Sequence, residues 1–209
     1  MRDAAGDTAI VNSELARLLD ELHRRGREHD AGLADRLERW RNLEPDTARL
    51  LALLVRSLAP ERLLELGTSN GYSTMWLADA VRDVGGSMTS VEIDAARAEH
   101  ARANLRAADL EDAVDVEVAD ASEVVAASGD GEWDFVFLDA ERAAYVAYWP
   151  DLVRALAPRG MLAVDNAISH ADELTEFREL VAHDERVSEA LVPTGAGLLL
   201  VVRGGSERE

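Results

Sequence analysis

Residues 62 to 74 read Arg-Leu-Leu-Glu-Leu-Gly-Thr-Ser-Asn-Gly-Tyr-Ser-Thr: a short apolar run, two glycines, then the opening of an amphipathic pattern. A strand that enters a helix through such a turn is the ligand-binding edge of an open α/β sheet, and few other folds accommodate it. Gly67 and Gly71 let the backbone turn sharply and allow a ligand to approach the main chain, while Tyr72, Ser73 and Thr74 begin the helix. Glu65 stands near the carboxyl end of the strand, where such sheets bind ligands.

Downstream, strand and helix signals alternate. Strands are expected at Arg62–Leu66, Ser87–Val91, Val114–Val118, Trp133–Leu138, Met161–Val164, Ser188–Val192 and Leu198–Val202, with helices between most of them. That alternation specifies an α/β chain with a doubly wound, mostly parallel seven-stranded sheet of Rossmann-like type. Pro193-Thr-Gly-Ala-Gly197 is short enough for a hairpin, which makes the last pair antiparallel. Upstream, three helical stretches are expected as an N-terminal cap. The first carries Leu15, Leu18, Leu19 and Leu22, the second Leu33, Leu37 and Trp40, and the third, entered at Pro45, Leu51, Leu54 and Leu58. No linker divides the chain, so one domain is expected: a cap over 1–59, a core over 60–203 and a tail over 204–209.

Spacing in the glycine turn separates cofactor classes. A dinucleotide fingerprint, G-x-G-x-x-G, needs a middle glycine where this chain has Thr68 and Ser69, which disfavours a pyrophosphate. Glu65 would repel a phosphate but suits the ammonium of an amino-acid moiety, as in S-adenosylmethionine. The pattern E-x-G-x-x-x-G resembles motif I of class I methyltransferases, and Leu-Glu-Leu-Gly-Thr-Ser-Asn-Gly-Tyr-Ser-Thr resembles the catechol and caffeoyl-CoA O-methyltransferase family. The resemblance runs from about Asp35 to Arg203 and implies a class I methyltransferase fold. It also implies a cofactor site at Glu65, Gly67, Ser69, Gly71, Tyr72 and Ser73, and a homodimer.

Composition removes other classes. The formal net charge of −19 opposes nucleic-acid binding, and without cysteine there is no disulfide, thiolate nucleophile or Cys-based metal site. With a polar start and apolar runs too short for a bilayer, no membrane partner is expected and the cytoplasm is the expected location. A small-molecule acceptor is the expected partner. All 22 basic residues are arginine, a bias that genomic base composition or adaptation to salt would produce.

Glu92 ends the second strand 21 positions after Gly71, where an acid accepts hydrogen bonds from ribose hydroxyls; Asp94 reads as the cap of the next helix. In Val-Ala-Asp-Ala-Ser122, Asp120 is placed to accept from an adenine amine and Ala121 to leave room for the ring, although Asp120 also suits a helix cap. Strands four and five deliver Asp139, Asp165 and Asn166 to the same edge. Two carboxylates and an amide oxygen suit Mg²⁺ or another divalent cation, while Asp165-Asn166 alone reads equally as a turn. In the resembled family these three positions form the metal site, and Asp139 belongs to the cofactor site and the catalytic centre as well.

The implied reaction is in-line attack of an acceptor hydroxyl on the sulfonium methyl, which rests heavily on alignment and is helped by a metal that favours the oxyanion. The family's usual lysine, three residues after the first metal aspartate, is Arg142 here. Arginine does not act as a base at neutral pH, so Arg142 is expected either to stabilise the oxyanion or to be a surface residue. Proton loss then falls to solvent, to Glu141 or to His170. Tyr145, Tyr148 and Trp149 either wall an aromatic ligand or pack a helix on the sheet. Three other readings stay open: metal-independent methyl transfer, a nicotinamide-dependent oxidoreductase, and a non-catalytic S-adenosylmethionine sensor.

Overall fold

The computed structural model describes residues 10–35 and 38–205. Two helices come first, α1 (Ser13–Ala31) and α2 (Pro45–Leu58). The core then runs β1 (Arg62–Leu66), α3 (Tyr72–Val84), β2 (Ser87–Glu92), α4 (Ala95–Ala107), β3 (Val114–Val118), α5 (Ala121–Ala127), β4 (Trp133–Leu138), α6 (Tyr145–Ala155), β5 (Leu156–Val164), α7 (Thr175–Ala182), β6 (Val187–Val192) and β7 (Leu198–Arg203). The strand order is β3-β2-β1-β4-β5-β7-β6, parallel from β3 through β5, with β7 antiparallel to both neighbours. This is the expected doubly wound sheet. The order reverses between β1 and β4, so the carboxyl ends of these strands open a crevice there.

Each face of the sheet has its own core, because side chains alternate along a strand. Leu63, Phe135, Phe137 and Ala163 pack against α1 to α4, whereas Leu64, Leu66, Val136, Leu138 and Val164 pack against α5 to α7. The same alternation puts Glu65 on the α3 side with Leu63.

Two expectations change. A helix over Leu33 to Trp40 does not form: α1 ends at the cap residue Gly32, and the described part of the segment is a loop, with Leu37 outside the described residues. The Asp30 carboxylate captures the backbone N–H groups of Trp40 and Arg41, both at 2.8 Å, and Arg41 takes a left-handed φ of 52°, geometry no α-helix permits. The fifth strand begins at Leu156 rather than Met161, because Arg159 at φ 67° and a register irregularity against β4 carry it past Pro158 and Gly160. No helix among the described residues is long and apolar enough to cross a membrane.

Candidate active site

The crevice is a cavity of about 530 Å³ lined by the glycine turn, the ends of β2, β4 and β5, and residues 39–44. Gly67 adopts φ 105° with the Asp139 carbonyl so close that an added Cβ would stand 2.1 Å from its oxygen. Gly71, at φ 86°, is the N-cap of α3. Ser69 lines the cleft, yet its own donors are spent on protein: its N–H on Glu92 Oε2 (2.8 Å) and its hydroxyl on the Trp40 carbonyl (2.9 Å).

Glu65 does not reach the cleft. It is fully buried beneath α3, where Ser73 Oγ donates to Oε1 (2.6 Å) and Thr74 Oγ1 and Ser90 Oγ donate to Oε2 (2.5 and 2.6 Å). Thr68 Oγ1 extends this network, 2.6 Å from Ser90 Oγ. Burial pushes the Glu65 carboxyl up to about 7 against the opposing pull of the three hydroxyls. Direct contact with a ligand ammonium is therefore replaced by a structural job: Glu65 ties β1, β2 and the first turn of α3 together. The Ser73 proton is committed to this network as well, although Ser73 and Tyr72 both line the cleft. Glu65→Ala would strand the Ser73 and Thr74 hydroxyls and cost about 2 kcal/mol, measured as a fall in urea unfolding free energy.

Glu92, Asp120 and Ala121 come together on one side of the cleft. Glu92, buried, lines the cleft and holds Asp94 N–H on its other oxygen (3.0 Å), while Asp94 caps α4. Asp120 both caps α5 and lines the cleft beside Ala121; the Ser122 hydroxyl, at 2.6 Å, holds its carboxyl below the usual range. Tyr148 shares this wall, and burial and the Asp120 charge raise its phenol. Tyr145 and Trp149 are core residues instead, bonded to the Ala140 backbone and to Asp184, and packed on Phe177. Asn70 and Ile93 had not been singled out from the sequence. Asn70 lines the cleft and keeps a buried amide Nδ2 without a partner.

At the other end Asp139, Asp165 and Asn166 converge. Asn166, held at φ 66°, donates from Nδ2 to Asp165 Oδ2 (2.9 Å) and Asp139 Oδ1 (3.3 Å). The hairpin between β6 and β7 builds this turn, since the Gly197 carbonyl accepts from Ala167 N–H and the Ala196 carbonyl from Ile168 and Ser169 N–H. Burial raises Asp139 to about 6; burial and the Asp139 charge raise Asp165 to about 8. Asp165 Oδ1 is buried and has no hydrogen-bond partner. Among the described residues no three His, Cys, Asp or Glu side chains are grouped to hold a metal, so two carboxylates and one amide are the whole donor set. That set suits a hard divalent cation: an orphaned buried oxygen and two carboxylates that repel each other are what such an ion relieves, once the Asn166 amide presents its oxygen.

Arg142 is not a surface residue. It is 4 % exposed, lines the cleft near Asp139 and is held through Nε to Glu173 Oε2 at 2.8 Å. Glu141 is half-exposed and pairs with Arg41 (3.1 Å), and His170 lines the cleft with Nδ1 2.9 Å from Ser169 Oγ. Trp40 and Arg41, from the loop read as a helix, lie over the same cleft. Only their closeness in space to the strand ends reveals them.

A family model described as O-methyltransferase matches residues 12–204. Over 131 residues the chain is 38% identical to the catechol O-methyltransferase of Mycobacterium tuberculosis, covering 61% of this chain and 58% of that protein. A catechol O-methyltransferase of Niastella koreensis is 30% identical over 138 residues, covering 65% and 62%. The chain thus matches about three fifths of the length of these two relatives. Among solved structures, an O-methyltransferase from Bacillus cereus in complex with SAH superposes with a TM-score of 0.75 at 25% identity, covering 94% of each chain. With the sheet order, the glycine turn and the family match over nearly its whole length in agreement, the chain belongs to the O-methyltransferase family.

Proposed function

We propose that this protein transfers the methyl group of S-adenosylmethionine to a hydroxyl of a small aromatic acceptor, assisted by a divalent cation such as Mg²⁺. The observation that carries the reading is one cleft with the glycine turn and Glu92 at one end and Asp139, Asp165 and Asn166 at the other. The catechol O-methyltransferase relatives and the SAH-bound neighbour support donor and acceptor class.

In this reading Glu92 accepts from the ribose hydroxyls and Asp120 from the adenine amine, with Ala121, Ile93 and Tyr148 around the ring. Gly67 and Gly71 bring the main chain against the amino-acid portion, and Glu65 keeps that turn rigid from below. Asp139, Asp165 and Asn166 hold the cation, whose chemistry is to favour the ionised acceptor hydroxyl. Arg142, fixed by Glu173, presents positive charge where the oxyanion develops. Departing S-adenosylhomocysteine is neutral and needs no general acid. With no lysine in the chain, the acceptor proton passes to solvent or to a carboxylate at the rim.

Calorimetric titration with S-adenosylmethionine tests the donor site. Glu92→Ala should weaken binding about 30-fold through loss of charge-assisted hydrogen bonds; wild-type protein without affinity for the donor or its demethylated product ends the proposal. A second reading, methyl transfer without a metal, is favoured by the Asn166 amide, whose Nδ2 donates to both carboxylates. Full turnover in excess EDTA would select it.

A further inference from the structure

Arg41 is a basic residue at the cleft with a setting that suits exchange of partners. Arg142 is buried against Glu173, and Arg39 spends Nε and Nη2 on the Leu33 carbonyl (3.0 and 2.7 Å). Arg41 instead reaches across the cleft with its side chain 36% exposed and pairs with Glu141, itself 49% exposed. Rim pairs of this kind are weak and readily exchanged. Arg41 and Asp139 line the same cleft.

The backbone that presents it is built for the purpose. Arg41 is a non-glycine residue at φ 52°, a conformation that persists only where its surroundings impose it. Here Asp30 grips the N–H groups of Trp40 and Arg41, Trp40 stacks on His29 at 4.2 Å and meets His100 edge-on at 5.1 Å, and the Trp40 carbonyl accepts from Ser69 in the glycine turn. The segment that carries the guanidinium is thereby tied to the glycine turn on one side, and the guanidinium to Glu141 on the other. In a chain of net charge −19, this arginine sets a positive charge at the mouth of the site against a negative average field.

We propose that Arg41 selects acceptors that carry a carboxylate, exchanging Glu141 for the acceptor's own anionic group and so orienting the ring with its hydroxyl toward Asp139. The inference rests on the methyl-transfer reading and adds the acceptor's charge to it. A guanidinium and a carboxylate match as a planar, two-point contact, which fixes orientation as well as affinity.

The test compares a matched pair, 3,4-dihydroxybenzoate and catechol, by calorimetric binding to the protein holding Mg²⁺ and S-adenosylhomocysteine, and by kcat/KM with S-adenosylmethionine. Arg41→Gln should weaken dihydroxybenzoate binding about 10- to 100-fold and raise its KM in proportion. The catechol constants should change less than about threefold. Arg41→Lys should recover part of the preference, and Glu141→Gln, by releasing the guanidinium, should tighten dihydroxybenzoate in the calorimeter. Parallel losses for both acceptors would show a structural loop and overturn the proposal, as would wild-type protein that binds the two equally. Failure of the methyl-transfer reading has a different signature, the absence of donor binding in the calorimeter, whatever the acceptors do.

Discussion

Gly67→Ala is expected to abolish donor binding and to destabilise the fold by about 4 kcal/mol. Two costs combine. The residue sits at φ 105°, where any side chain is strained, and the new Cβ would lie 2.1 Å from the Asp139 carbonyl oxygen and 2.8 Å from its carbon. Both obstacles are backbone, so no rotamer relieves them; β1 and β4 must separate at the carboxyl ends that form the crevice. Separation also strains the bond across that point, Asp139 N–H to the Leu66 carbonyl, 2.9 Å. Urea unfolding should show a lower midpoint with an unchanged slope, and calorimetry a donor affinity reduced more than about 100-fold. Gly85→Ala is the contrasting case: that residue has a positive φ with nothing within 4 Å, so the strain acts without the collision and the loss should be about 1 kcal/mol.

Asp165→Asn is expected to cut turnover about 1000-fold, the size of effect that loss of a cation's charge stabilisation brings, while leaving the cation-free fold more stable at alkaline pH. The sign follows from the raised carboxyls. Asp139 and Asp165 move up from 3.8 to about 6 and about 8, so the folded state holds protons that the unfolded chain has released. The stability this confers is fully present below the unfolded value and is lost as pH rises through the folded ones. Without a cation the wild-type melting temperature should therefore fall between pH 5 and pH 9. Mg²⁺ should restore it, and the increment should grow with pH as both carboxylates ionise. A rise of about 4 °C at pH 8.5 that vanishes in EDTA, and in Asp165→Asn, is the expected pattern. A melting temperature indifferent to Mg²⁺ across this range would remove the cation from the site and leave the glycine turn untouched.

The legible and the hidden parts of this molecule differ by the range of the interactions that specify them. Strand β1, helix α3 and the caps Asp94 and Asp120 were readable because apolar periodicity, paired glycines and capping side chains act within a few residues of themselves. Asp139, Asp165 and Asn166 were readable for a related reason: in a parallel sheet with successive crossovers, every strand's carboxyl end reaches the same edge, so local assignments imply a shared site. The described loop between Leu33 and Trp40 was not. Its apolar spacing is helical, but Asp30 overrides it by binding backbone groups 10 and 11 residues away, and the Ser69 hydroxyl adds a bond across 29.

Sequence by itself determined the fold class and the acidic and glycine residues that stand at the strands' carboxyl ends. Tertiary structure alone decided the direction each one faces. A strand alternates its faces, so Glu65, two positions from Gly67, lies under α3 among three hydroxyls rather than in the cleft, and Arg142 is buried on Glu173 rather than exposed. Arg41 enters the site only because a strained turn carries it across some hundred residues of chain to Glu141 and Asp139. Periodicity and spacing encode which elements form; whether a charge meets solvent, a ligand or a buried partner depends on packing between elements far apart in the chain, which no local pattern records.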